Sequence, residues 1–284
     1  MIERSPVLDV VSHVVLALGV LVIAFPVYVT LVASTQTSQE IVQAPMSLLP
    51  GDNMLETYRV ALVGGETSQG AKVPPVGRMM WVSLVSALVI TIGKIAISLL
   101  SAFAFVYFRF PGRSLCFWLV FVTLMLPVEV RIFPTYKVVS DLGMLNTYAG
   151  LTIPLIASAT ATLLFRQLFM TIPDELAEAS KIDGAGPIRF FVDTVLPLSR
   201  TNMAALFVIL FIYGWNQYLW PLLITTRDDM QTIVIGIKKM IVTSDALTEW
   251  QIVMATAMLA MLPPVLVVVL MQKLFVRGLV ETEK

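Results

Sequence analysis

The chain has 284 residues, of which 57% are hydrophobic and 13% charged, with a formal net charge of zero at pH 7. A typical soluble domain carries about 25% charged residues, so this much apolar surface calls for a bilayer, and the neutral balance gives no reason to expect nucleic acid. One cysteine, Cys116, and one histidine, His13, exclude an internal disulfide and a His-rich metal site, so no metal and no cofactor are expected.

Crossing the hydrocarbon core as a helix takes roughly 20 apolar residues. Val10–Gln39 contains no Asp, Glu, Lys or Arg, and Met79–Phe108 contains only Lys94. Ser114–Val128, Gly143–Phe165, Thr201–Thr226 and Trp250–Gln272 are free of charge. Backbone groups in lipid must pair within their own segment, so these stretches predict helices. The expected fold is an all-α polytopic membrane helical bundle, a single domain over 1–284. It has about six transmembrane helices, near 11–33, 79–107, 114–134, 147–170, 201–224 and 250–275. A cleaved leader ending at Val32-Ala33-Ser34 is the alternative for the first run. Its long apolar core and its n-region without net positive side-chain charge favour a retained span.

Lys and Arg in short loops set orientation. Arg109 and Arg113 follow the second span with no acid and mark that loop as inner. Both termini then lie inside, although Arg227, Lys238 and Lys239 in an outer loop oppose this bias. Lys94 falls in mid-span, where a lysine costs about 2.5–3.5 kcal/mol on insertion scales, so it should face protein or water. A structural lysine and a substrate contact are both open.

Glu129 and Arg131 lie at the outer end of the third span, between Pro127 and Pro134. If the prolines leave this stretch extended, both side chains point the same way. Arg131 then offers a planar fork of donors to a phosphate. The alternative is an interfacial anchor or an internal salt bridge.

The inner loop, near 171–198, is long and patterned. Thr171 can cap a helix, Pro173 suits a first turn, and Asp174 and Glu175 suit its positive end. Leu176, Ala179 and Ile182 share one face, and Glu175 and Glu178 another. Asp183-Gly184 is a stop-and-turn signal. Pro187 starts a second short helix with Ile188, Phe191 and Val195 in phase, ended by Leu196-Pro197. Ala177, Ala179, Ser180, Gly184, Ala185 and Gly186 are small enough for another backbone to come close. Two readings follow: a knob that docks on another protein, or a helix lying on the membrane. The second prefers a Lys/Arg-rich polar face, which Glu175 and Glu178 do not provide.

Asn216 and Gln217 sit within the fifth apolar run, among Tyr213, Trp215, Tyr218 and Trp220. Such amides line a pathway for a hydroxylated solute or join helices by hydrogen bonds.

Glu178-Ala179-Ser180, Asp183-Gly184-Ala185 and Leu196-Pro197 resemble the EAA loop of permease subunits in ATP-binding-cassette importers, with Ser180 where alanine is usual. Tyr213–Leu223 is similar to a segment of carbohydrate-type permeases in that family. Leu126–Thr135 and Phe275–Val280 resemble the second permease subunit of sn-glycerol-3-phosphate importers. The resemblance spans nearly the whole chain. It implies a bacterial inner-membrane permease whose inner loop couples to an ATPase through Glu178, Ala179, Ser180, Asp183, Gly184 and Ala185. It implies as partners a second permease subunit, an ATPase subunit dimer, a soluble substrate-binding protein and membrane lipid. The implied solute is sn-glycerol 3-phosphate or a related glycerophospho-compound, with Glu129, Arg131, Asn216 and Gln217 as candidates for its path.

No G-x-x-x-x-G-K-[ST] loop, H-E-x-x-H or G-x-S-x-G occurs, so no catalytic residue is assigned and ATP hydrolysis is expected on a separate subunit. An ion-gradient-driven secondary transporter is the alternative. It predicts inverted repeats and several ionisable groups at mid-membrane, whereas only Lys94 qualifies.

Overall fold

A computed structural model describes residues 6–66, 72–242 and 248–280. They are predominantly helical, and the one described strand pair is a two-residue antiparallel ladder, β1 (Gly65–Glu66) with β2 (Lys72–Val73). In chain order the helices begin with α1 (Pro6–Ala33), α2 (Ser38–Val42), α3 (Met54–Val63) and α4 (Val76–Tyr107). Then come α5 (Arg113–Met125), α6 (Val128–Asp141), α7 (Tyr148–Thr152) and α8 (Ala159–Met170). The inner loop holds α9 (Asp174–Ile182), α10 (Pro187–Phe190), a π-helical turn over Phe191–Val195 and α11 (Leu196–Leu198). The chain continues through α12 (Arg200–Trp215), α13 (Leu219–Ile224), α14 (Ile233–Val242) and α15 (Trp250–Val280).

Among the described residues, three stretches are long and apolar enough to cross a membrane unbroken: Val7–Ala33, Val76–Tyr107 and Trp250–Lys273. Two further runs pass only as bent pairs, Tyr148–Leu155 with Ala159–Met170 at 49° and Pro187–Leu198 with Arg200–Trp215 at 71°. Residues 201–224 do not form one rod, because α12 stops at Trp215 and α13 starts at Leu219. Pro26, Pro263 and Pro264 lie inside α1 and α15 without ending them.

The chain divides into two compact units, residues 1–78 with 236–262 and residues 79–235 with 263–284. In the first, the end of α1 is a polar knot. Thr35 Oγ1 accepts from the Gly51 amide at 2.8 Å, and the Gln36 amide donates to the Ser47 and Leu49 carbonyls at 2.9 Å each. A Cβ on Gly51 would stand 2.8 Å from the Thr35 carbonyl oxygen, so only glycine lets the loop close on the helix.

The second unit has two apolar clusters strung along α4. Val82 and Ile90 of α4 pack with Ile132 and Val139 of α6, Leu151, Trp220 and Ile224. Further along, Ile95, Leu99 and Phe103 pack with Phe165 and Phe169 of α8, Phe190, Val195 and Leu206 of α12. Small residues let the backbones meet between them. A Cβ on Gly214 would lie 3.1 Å from Ala87 Cα, and one on Gly93 would lie 2.7 Å from Ile156 Cγ2.

Candidate functional site

Two features of the inner loop differ from the sequence reading. Thr171 does not cap α9: its hydroxyl donates to the Leu168 carbonyl at the end of α8, and Pro173 holds the cap position. Leu196-Pro197 do not stop the second helix. The π turn carries the helix past them to Ser199, whose hydroxyl donates to the Val195 carbonyl at 2.6 Å.

The apolar face of α9 points outward. Leu176 is 40% exposed and Ile182 86%, while Ala177 packs on the core. Glu178 and Ala179 are exposed beside them, and Ser180 and Ala185 are half-buried. Asp183 is the C-cap, and Gly184 follows in the left-handed region at φ 72°. The Gly184 amide donates to the Lys181 carbonyl and the Ala185 amide to the Ser180 carbonyl, the paired closure of a glycine-stopped helix. On α10, Ile188 is 79% exposed, whereas Phe190 and, at the end of the π turn, Val195 are buried. The loop therefore shows apolar side chains to the outside and anchors itself through others.

That anchor is aromatic. Phe103 of α4 lies 4.9 Å from Phe191 between ring centroids, and Tyr107 lies 5.1 Å from Phe190. Between α4 and the loop runs a cavity of about 680 Å³, lined by Tyr107, Arg109, Asp174, Glu178, Lys181 and Pro187 among others. The sequence carries a hint of this joint in Phe103, Phe105, Tyr107, Phe108 and Phe110, crowded at the inner end of one span.

The stretch with Glu129 and Arg131 is helical rather than extended, because Pro127 supplies a φ of −52° at the α6 N-cap and Pro134 is absorbed within the helix. The extended backbone on which the expected shared orientation of Glu129 and Arg131 depended is therefore not present. The described part of Glu129 is its backbone, in the first turn of α6. Arg131 is half-buried.

Lys94 is 7% exposed, and its ammonium sits 4.0 Å from the centroid of the Tyr213 ring. Asn216 caps α12 and is exposed, while the Gln217 amide donates to the Tyr213 carbonyl at 3.1 Å. The structure thus links Lys94, Tyr213 and Gln217 beside the break in residues 201–224. Tyr213 was noted in the sequence only as one aromatic among several.

Residues 94–281 match the family model described as binding-protein-dependent transport system inner membrane component. The chain belongs to that family, and it is accordingly an importer permease of the bacterial inner membrane. It is 60% identical over its full length to the whole of the sn-glycerol-3-phosphate transport system permease protein UgpE of Brucella melitensis. The UgpE proteins of Agrobacterium fabrum and Escherichia coli O1:K1 are 61% and 59% identical, again from end to end of both chains. The fold matches a chain in the crystal structure of a bacterial ABC transporter involved in the import of the acidic polysaccharide alginate. The TM-score is 0.75, with 20% identity, and the match covers 96% of this chain and 98% of that one.

Proposed function

We propose that this chain is one of two permease subunits of an ATP-driven importer for sn-glycerol 3-phosphate or a related glycerophospho-compound. End-to-end similarity to permeases named for that transport system carries the reading. The chain crosses the membrane six times as one permease domain, with both termini on the cytoplasmic side. A soluble binding protein delivers the solute from outside, and two ATPase subunits hydrolyse ATP inside.

The loop from α9 to α11 seats on an ATPase subunit through Glu178, Ala179, Ser180, Asp183, Gly184 and Ala185. Support comes from Leu176 and Ile182, which are exposed beside Glu178 and gain from cover by a partner. The aromatic joint to α4 turns movement of that loop into movement of the span. Arg131, Asn216 and Gln217 line the solute path, and Glu129 marks its outer end.

The first test is growth on sn-glycerol 3-phosphate as sole phosphate source, in cells whose other uptake routes for it are deleted. Loss of growth on deleting this gene and recovery on restoring it are expected, and undiminished growth of the deletion strain would sink the substrate assignment. Glu178→Lys and Gly184→Pro should abolish co-purification of the ATPase subunit, the second because proline cannot adopt φ 72°. Unchanged co-purification and transport would refute the docking assignment.

A further inference from the structure

Arg166 is the one charged residue of α8, and it lies four residues before the end of that helix at Met170, about 6 Å along the axis. It is half-buried, and its guanidinium stacks 4.7 Å from the centroid of the Phe117 ring on α5. Among the described residues no oxygen accepts a hydrogen bond from it. A guanidinium carries five N–H donors, so these donors turn to whatever fills the space beside Phe117.

α5 packs against α8, and Phe117 and Arg166 meet across that contact. Arg113, the first residue of α5, lies one turn before Phe117 on the same face of the helix. It is exposed, and its Nη1 donates to the Val106 carbonyl at 3.5 Å and the Phe108 carbonyl at 3.4 Å. Those contacts are long, and they engage one nitrogen of the fork. Neither helix carries an acid. One turn further into the span the groove turns apolar, with Val120 and Phe121 on α5 and Leu163 on α8. Val120 is 38% exposed, and the Phe121 ring stacks on Phe117 at 6.0 Å.

We propose that the groove between α5 and α8 binds one anionic phospholipid, its phosphate held by Arg166 and Arg113 and an acyl chain lying on Val120, Phe121 and Leu163. The order of the groove is that of such an amphiphile, basic at the helix ends and apolar deeper in. Arginine suits the first part, because its planar fork meets a phosphate while its face stacks on an aromatic ring. A zwitterionic lipid brings the same chains and phosphate, but its own cation is repelled by the two arginines. Placing the lipid in the inner leaflet rests on the cytoplasmic side given to this end of the chain above, whereas the contact itself does not. Phe105 of α4 meets Phe117 edge to face at 5.6 Å, so the bound lipid braces the helix end on which the inner loop is anchored.

The test uses the complete transporter, otherwise free of cysteine, in nanodiscs with the same lipids in both leaflets. A fluorophore is attached through Val120→Cys in a Cys116→Ser chain, which leaves both arginines in place. Brominated phosphatidylglycerol should quench it at concentrations at least about fivefold lower than brominated phosphatidylcholine of matched chains. Adding Arg166→Gln or Arg113→Gln should each reduce that preference about fivefold, the effect of one basic residue at an anionic membrane surface. Equal quenching by the two lipids with both arginines present would overturn the proposal, and this comparison stands even if the arginine variants fail to assemble. A preference that survives both arginine substitutions would overturn it too. So would a cross-link from the cysteine at position 120 to the second permease subunit, which marks the groove as a protein interface. A reversed orientation of the chain would leave the preference intact and move only the leaflet.

Discussion

The rings of Tyr107 and Phe190 meet edge to face, with centroids 5.1 Å apart and planes at 81°. The first ends α4 and the second sits in the inner loop, so the pair joins the element proposed to receive the stroke to the helix that carries Lys94. Phe190 is buried, and truncating such a ring to alanine costs about 3–5 kcal/mol locally. Phe190→Leu retains most of the volume and loses mainly the ring contact, worth about 0.5–1.5 kcal/mol. We expect Phe190→Leu to keep the ATPase subunit bound while raising the ATP spent per solute moved. Co-purification combined with the ratio of hydrolysis to uptake checks this, and an unchanged ratio would remove the joint from the coupling path.

Gly184 separates backbone strain from steric conflict. A side chain there would meet nothing within 4 Å, but φ is 72°. Valine in that region costs about 1–2 kcal/mol, whereas asparagine tolerates it. Gly184→Val should weaken ATPase-subunit binding measurably and Gly184→Asn far less. Equal weakening by both would mean that the contact requires the bare glycine surface.

Gly93 predicts a rescue. Gly93→Ala places its new methyl 2.7 Å from Ile156 Cγ2, and overpacking of this kind costs about 1–3 kcal/mol. The double variant Gly93→Ala with Ile156→Ala should regain thermal stability in detergent relative to Gly93→Ala alone. If the second change lowers stability further, the two residues are not in conflict.

At the far end of the same unit, Asn146 Oδ1 accepts from the Thr226 amide at 2.7 Å and the Arg227 amide at 3.0 Å. Asn146 itself has φ 56°, a conformation asparagine bears better than most residues. Asn146→Gly relieves the backbone but orphans both donors, while Asn146→Asp keeps the acceptor. The melting temperature should fall clearly for Asn146→Gly and little for Asn146→Asp.

The helical character was legible because lipid demands long charge-free runs, and such runs can be read without knowing their neighbours. Breaks within those runs were not. Asn216 interrupts an apolar run whose composition looks continuous, while Pro26, Pro263 and Pro264, usual breakers, leave their helices intact. The Asp183-Gly184 turn was readable because its signal is local, and the structure closes it with bonds inside one turn. The Tyr107–Phe190 joint and the Lys94–Tyr213 contact link segments far apart in sequence. No local periodicity reports such pairs, although the crowd of aromatics near Phe103 and the solitary Lys94 both stood out.

The π turn over Phe191–Val195 adds one residue to a helical path that otherwise advances about 100° per residue. Phe190 before it, Val195 at its end, and Leu206 and Leu210 after it all reach the same core. Their common direction depends on that extra residue. Removing one residue here would turn α12 by roughly a quarter of a revolution against the inner loop, carrying Tyr213 away from Lys94 while leaving every side chain's identity unchanged. This joint works as a key in a shaft: what it encodes is length, and the timing between the two ends of the machine depends on a count rather than on a particular amino acid.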